Sequence, residues 1–129
     1  MNIDYQKEKA VGKLAEYKDF KLPDEVRTFE KGKIELLNIN GGKVGRLTLE
    51  PGWRWSKHVK PIVKTESCEA PHFQYQLSGR LHVAMKDGKE FETEAGEVAW
   101  VPSGHDAWVV GDEPVVLIDW SGASHYAEK

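Results

Sequence analysis

Cys68-Glu69-Ala70-Pro71-His72-Phe73-Gln74-Tyr75-Gln76-Leu77-Ser78-Gly79 is the stretch from which the rest of the chain reads most easily. From His72 to Leu77 it alternates, with His72, Gln74 and Gln76 on one parity and Phe73, Tyr75 and Leu77 on the other. A two-residue period belongs to a strand, because successive side chains point to opposite faces. One face is polar and the other apolar. Serine, lysine or threonine would serve a face that only meets water, so His-x-Gln-x-Gln beside a cysteine reads as the lining of a pocket. The competing reading is a solvated outer face.

Outward from this stretch the chain is punctuated by turns. Downstream, residues 81–85, 90–93, 98–101, 106–110 and 115–118 read as strands, separated by Asp87-Gly88, Ala95-Gly96, Pro102-Ser103-Gly104 and Gly111-Asp112-Glu113-Pro114. Upstream, 34–39 and 44–49 form a hairpin across Asn40-Gly41-Gly42, and 26–29 reads as a short strand. Pro51-Gly52 breaks the chain before Trp53-Arg54-Trp55, and 58–71 reads mostly as loop, long enough to be functional. No strong helical period appears after residue 30. Short strands with regular turn signals predict an all-β sandwich or barrel over 31–129. Residues 1–30 read as an N-terminal arm or a short helix or strand, with Ala10, Leu14 and Tyr17 at helical spacing and Pro23 ending any helix.

Composition bounds the function. At 129 residues the chain suits one domain with a single core. With 40% hydrophobic and 30% charged residues it is a folded globular chain and not a disordered one. A net charge of −3 without a basic run lacks the footprint of a nucleic-acid binder. No apolar run nears the ~18 residues of a membrane span and no signal segment opens the chain, so the expectation is a cytoplasmic protein with neither membrane nor nucleic-acid partner. Cys68, the single cysteine, has no partner for an internal disulfide. Its use is packing, metal ligation or redox chemistry.

Two stretches together resemble the two sequence motifs of the cupin superfamily of small β-barrels. In the first, Gly52 opens and Gly79 closes the motif, and Tyr75, Leu77 and Ser78 look like the family's Tyr-x-Leu-x-Gly strand end. In the second, Gly96 is followed after five residues by Pro102, then Gly104. The resemblance covers about residues 33–120. It implies a single-domain double-stranded jelly roll, a small-molecule pocket and a homodimer. The family's metal-ligand positions are altered here. His72 stands where the family has its Glu, Cys68 and Glu66 where it has two His, and Ala107 at its last His. His105, two residues before Ala107, keeps the same strand parity.

Three imidazoles and one thiolate, from His58, Cys68, His72 and His105, make a four-ligand set suited to tetrahedral zinc, with iron or nickel as the alternative divalent metals. Glu66 is a replacement for His58. The alternative is that Cys68 is a packed small hydrophobe and the histidines are structural or on the surface. His82 reads as surface or core filling, and His125 is assigned nothing. Gln74 and Gln76 are candidate ligand contacts, with Trp53, Trp55 and Trp108 at the pocket rim and Arg54 and Lys57 near the mouth. The remaining aromatic residues read as core and dimer face. Glycine-flanked nucleophile elbows and phosphate-cradling loops are missing. The two functions left open are a small-molecule-binding or sensing module and a metal-dependent enzyme, of isomerase or oxygenase type, acting on a small acid or sugar-like substrate.

Overall fold

The computed structural model describes residues 15–121 and 126–128. Ala10, Leu14 and His125, and with them the first half of the expected N-terminal arm, lie outside the described residues. The strands are β1 (Glu25–Phe29), β2 (Gly32–Ile39), β3 (Gly42–Leu49), β4 (His72–Ser78), β5 (Arg80–Met85), β6 (Glu90–Glu94), β7 (Val98–Val101), β8 (His105–Val110) and β9 (Val115–Asp119). They pair antiparallel into two sheets, ordered β1-β2-β3-β9-β4-β7 and β6-β5-β8. This is the all-β barrel that the turn signals anticipate. The short strand read at 26–29 is β1, which pairs with β2 from Glu25↔Leu36 to Phe29↔Gly32, so the larger sheet begins within the first 30 residues.

Residues 58–71 are less loop-like than the sequence suggests. They carry a short helix α2 (Lys60–Val63) behind α1 (Trp55–His58). Pro61 lies in the first turn of α2, where its missing N–H is not needed. Each helix is one turn, too short for a 3.6-residue period to register in the sequence.

The core sits between the sheets and follows strand parity. Ile34 and Leu36, Leu47 and Leu49, Leu81 and Val83, Val115 and Leu117 all point inward. On β4 the parity is inverted in character. His72, Gln74 and Gln76 are 5%, 4% and 1% exposed, whereas Phe73 and Leu77 on the outer face are 47% and 48% exposed. The polar face therefore looks into the barrel. Two devices fix its register: a β-bulge between Gln76 and Ser78 on the β9 side, and Gly79, whose φ of 76° and close approach would put a Cβ 2.6 Å from the Pro114 carbonyl oxygen.

Candidate metal centre

Three elements converge at one end of β4. His72 opens β4, His105 opens β8, and Cys68 lies in the segment between α2 and β4. Cys68 is held to the start of β8 by backbone bonds: its N–H donates to the His105 carbonyl at 2.7 Å and its carbonyl accepts from Gly104 N–H at 2.7 Å. All three side chains are buried, and their ligand atoms lie within 4.8 Å of one another. Cys68 Sγ is 3.7 Å from His72 Nε2, and the His72 and His105 rings meet edge-on at 5.2 Å.

Both imidazoles are oriented from behind. His72 Nδ1–H donates to Asp119 Oδ2 at 2.5 Å, and Asp119 is fully buried, with Oδ1 accepting from the N–H groups of Ser121 at 2.9 Å and Phe73 at 3.3 Å. His105 Nδ1–H donates to the Pro102 carbonyl at 2.8 Å. A carbonyl can only accept, so this bond places the proton on Nδ1 and leaves Nε2 to the cluster. A carboxylate or carbonyl behind each ring is the arrangement that fixes metal-ligating histidines.

The electrostatics favour a thiolate. Burial pushes the Cys68 thiol up, but its interactions with the His105 and His72 rings, with the charge of His72, more than reverse this and bring it to about 6. Burial opposes charge on His72, yet the bonds to Asp119 and Cys68 raise it to about 9. Near neutrality the metal-free pair is thiolate and imidazolium. One pair of the set has the spacing an ion requires: two ligands on a tetrahedral zinc, one sulfur and one nitrogen, stand about 3.6 Å apart from the usual bond lengths, against the 3.7 Å between Cys68 Sγ and His72 Nε2.

The other expected site residues are placed as follows. His58 is buried away from the cluster. Its Nδ1 accepts from Arg54 N–H at 3.0 Å and its Nε2 lies 3.6 Å from Glu30, so it ties α1 to the loop before it. Glu66 faces solvent beside Lys60 at 3.3 Å. Gln76 is bonded at both ends, its Nε2 donating to the carbonyls of Gly79 at 2.8 Å and Thr93 at 3.1 Å and its Oε1 accepting from Thr93 Oγ1 at 2.6 Å. Trp108 is on the outer face of β8, stacked on His82 at 4.5 Å and under Arg54 at 4.2 Å, and Arg54 also pairs with Asp106 at 3.2 Å. Trp53 and Trp55 are core residues, each 2% exposed, that wall the cavities beside the cluster.

Two cavities adjoin the cluster. The barrel interior keeps about 30 Å³, bordered by His72, His105, Gln74, Trp53 and Ala107. His105 and Ala107 share this cavity, as their common parity requires. Trp53 Nε1–H is buried without a partner among the described residues. A side cavity of about 300 Å³ opens past Cys68, between α2 and residues 126–128. Tyr126 borders both cavities and packs on His72 at 5.6 Å and Phe29 at 6.0 Å. Burial raises its hydroxyl well above the ordinary tyrosine value.

Sequence reasoning missed Asp119 and Tyr126. The signal for Asp119 was present: it follows Val115 and Leu117 on the buried parity of β9, and a carboxylate on such a face calls for a partner. No comparable signal marks Tyr126.

No family model matches the chain. It is 32% identical over 111 residues to the oxalate decarboxylase OxdC of Bacillus subtilis (strain 168), an alignment covering 77% of this chain and 27% of that protein. The chain thus spans well under half of that relative. Among solved structures it resembles the Lactobacillus farciminis oxalate decarboxylase formate complex, with TM-score 0.56, 19% identity and coverage of 79% of this chain and 32% of that one. It also resembles a sugar phosphate isomerase from Silicibacter pomeroyi, described as from a cupin superfamily, with TM-score 0.55, 20% identity and coverage of 80% and 73%. At such identities the two structures speak for the fold.

Proposed function

We propose, for a chain that belongs to the cupin superfamily, a small-molecule-binding module built beside a metal centre of Cys68, His72 and His105. The observation that carries the reading is the orientation of both imidazoles by Nδ1 partners, Asp119 and the Pro102 carbonyl, which turns their other ring nitrogens and the Cys68 sulfur toward one point. A thiolate with two imidazoles suits zinc first, then iron or nickel, and disfavours the hard cations that prefer oxygen. When bound, such an ion supplies Lewis acidity and one coordination position beyond the three side chains. Trp53 Nε1–H and Gln74, at the one-water cavity, are placed to hydrogen-bond an oxygen there.

A binding module is favoured over an enzyme because Asp119, the one carboxylate at the cluster among the described residues, is wholly engaged in holding His72 and backbone N–H groups. Among the described residues lining the small interior cavity, Tyr126 is the one acid–base group left outside the cluster, and burial holds its hydroxyl neutral. A metal-dependent enzyme is the second reading. Its support is the number of ligands: three protein side chains, the count of catalytic zinc sites, where structural sites have four. We further propose a homodimer through the β7 side of the larger sheet, where Phe73, Leu77, Val98, Trp100 and Trp120 form an exposed apolar face, and residence in the cytoplasm, where the lone thiol stays reduced.

The test is the metal content of untagged protein, with Cys68→Ala and His72→Ala beside it. Near-stoichiometric zinc, iron or nickel that vanishes in both variants is expected. A wild-type protein that takes up none of these ions under reducing conditions would remove the centre.

A further inference from the structure

Two buried polar side chains border the interior cavity with nothing to bond. Trp53 Nε1–H has no partner among the described residues, and neither has the Gln74 amide, although Gln74 is only 4% exposed. Gln76, two residues on, is bonded at both ends. We infer that the ligand of this centre is a small inorganic anion of about one or two heavy atoms, bound inside the barrel by Trp53 Nε1–H and Gln74, and that the barrel is closed to organic acids. The inference rests on the metal centre proposed above, of which His72 and His105 border this cavity.

Unpaired groups decide the compartment. A buried donor left without a partner carries its whole desolvation penalty, so Trp53 and Gln74 define a position that a bound acceptor stabilises. The side cavity of about 300 Å³ is lined differently. Its Thr65 hydroxyl donates to the Ser67 carbonyl at 2.7 Å, Arg27 reaches Glu128 at 3.8 Å, and Glu69 faces solvent. Tyr126 borders both cavities and favours neither. Size then sets the limit. The interior, about 30 Å³, is roughly the share of one water in the liquid. Leu47, Leu81, Val83 and Val101 supply much of the remaining wall. Oxalate, the acid named in the description of the Bacillus subtilis relative, is several times too large for this space.

Charge and hydrogen bonding set the class. An indole offers a donor and no acceptor, and an amide can turn its NH2 group the same way. A divalent ion held by a thiolate and two neutral imidazoles keeps a net positive charge, which a monoanion balances. Asp119 lies behind His72, on the other ring nitrogen, and is not part of this wall. A cation would meet the ion's repulsion and a donor aimed at it. Water satisfies the hydrogen bonds without balancing the charge, so it is the molecule that the anion displaces.

The experiment follows the indole N–H resonances of zinc-loaded protein by nuclear magnetic resonance, with cyanide, acetate and oxalate as probes and cyanide kept at levels that leave zinc stoichiometric. The Trp53 signal is the one missing from Trp53→Phe. Loading should first move the ring nitrogen resonances of His72 and His105. Protein that shows no such movement loses the metal centre, and this inference falls with it. With zinc bound, cyanide is expected to move the Trp53 indole and the Gln74 side-chain amide, and acetate and oxalate to leave both still. Gln74→Leu, which roughly keeps the volume, should weaken cyanide roughly 10–100-fold. Val101→Ala should open the interior enough to admit acetate, with the same indole shift. With the metal centre standing, the inference is overturned by cyanide that leaves the Trp53 indole unmoved, or by cyanide affinity that Gln74→Leu does not change. Acetate or oxalate moving that indole in the wild type, or acetate still excluded from Val101→Ala, would overturn it as well.

Discussion

His72 and Gln76 lie on the same face of β4, four residues apart, 5% and 1% exposed, yet they do opposite things. Every polar atom of the Gln76 amide is matched within the protein, to Gly79, Ser78 and Thr93, so it is a knot between β4 and the strand that carries Thr93. His72 has one nitrogen fixed by Asp119 and the other presented to Cys68. A buried polar side chain that closes on its neighbours contributes stability. One that is oriented and left facing other ligand atoms marks chemistry. Burial alone does not distinguish the two.

The largest test of this contrast exchanges the two residues for alanine. His72→Ala should lower zinc affinity by more than the roughly 100-fold that follows loss of a merely orienting partner. Gln76→Ala should leave zinc affinity within about twofold but destabilise the fold by about 2–4 kcal/mol, since the Thr93 hydroxyl and three carbonyls lose their partner inside the barrel. Calorimetric metal titration and urea denaturation of both variants read the two effects. Metal affinity falling in both, or in neither, would end the distinction.

Asp119→Asn comes next, because it keeps the shape behind His72 while removing the charge. Zinc affinity should fall about 10–100-fold, less than on losing His72 itself. Asp119→Ala should fall at least as far. A fall to the level of His72→Ala in the asparagine variant would mean that Asp119 is a ligand and not an orienting partner.

How far the sequence foretold this site depends on which physical signal each residue leaves. Strand alternation and turn residues are local, so the barrel was legible from the strands and turns along 31–129, and the pocket-facing reading of β4 from residues 72–77. Cys68, His72 and His105 were legible from their place relative to the motif glycines, and the structure brings those three together. His58 was grouped with them by residue type, and the one-turn helix that carries it away leaves no periodic trace. Gln76 looked like a pocket residue because parity tells which face a side chain takes but not what awaits it there. Thr93, its partner, is 17 residues away along the chain. Asp119 and Tyr126 depend on contacts across 47 residues or more, which only the assembled fold supplies.

A third test uses protons. His72 sits at about 9 in the fold, above its ordinary 6.5, so its charge adds stability that is complete below 6.5 and lost as pH rises through about 9. Cys68 sits at about 6, below its ordinary 9.0, so its contribution is complete above 9.0 and lost as pH falls through about 6. The thiolate and imidazolium coexist between the two folded values. In metal-free protein the ultraviolet absorbance of the thiolate should rise around pH 6. His72→Ala should move that rise toward the ordinary thiol range, and Gln76→Ala should leave it in place. Because Cys68 is already deprotonated at pH 7.5 and His72 is not, zinc uptake there should release about one proton. A release near two would place the Cys68 proton still on sulfur.

The smallest effect comes from His82, which shares carboxylate partners with His72 but not its burial. It lies on the outer face of β5 between Glu90 at 2.5 Å and Glu92 at 3.1 Å, stacked on Trp108. Its bonds to Glu92 and Glu90 raise its pKa, against a weak opposing effect of desolvation. The sign matches that of His72: the stabilisation is complete below the ordinary value and lost as pH rises through the raised one. The difference is solvent, which screens charges on this face and leaves those of the cluster largely alone. The urea midpoint should therefore drift slightly downward from pH 6 to 8 in low salt, and both added salt and His82→Gln should flatten that drift. The absorbance step of Cys68 should ignore both changes. A drift that persists in His82→Gln would have to come from the buried pair, and the separation between a screened surface histidine and an unscreened site histidine would fail.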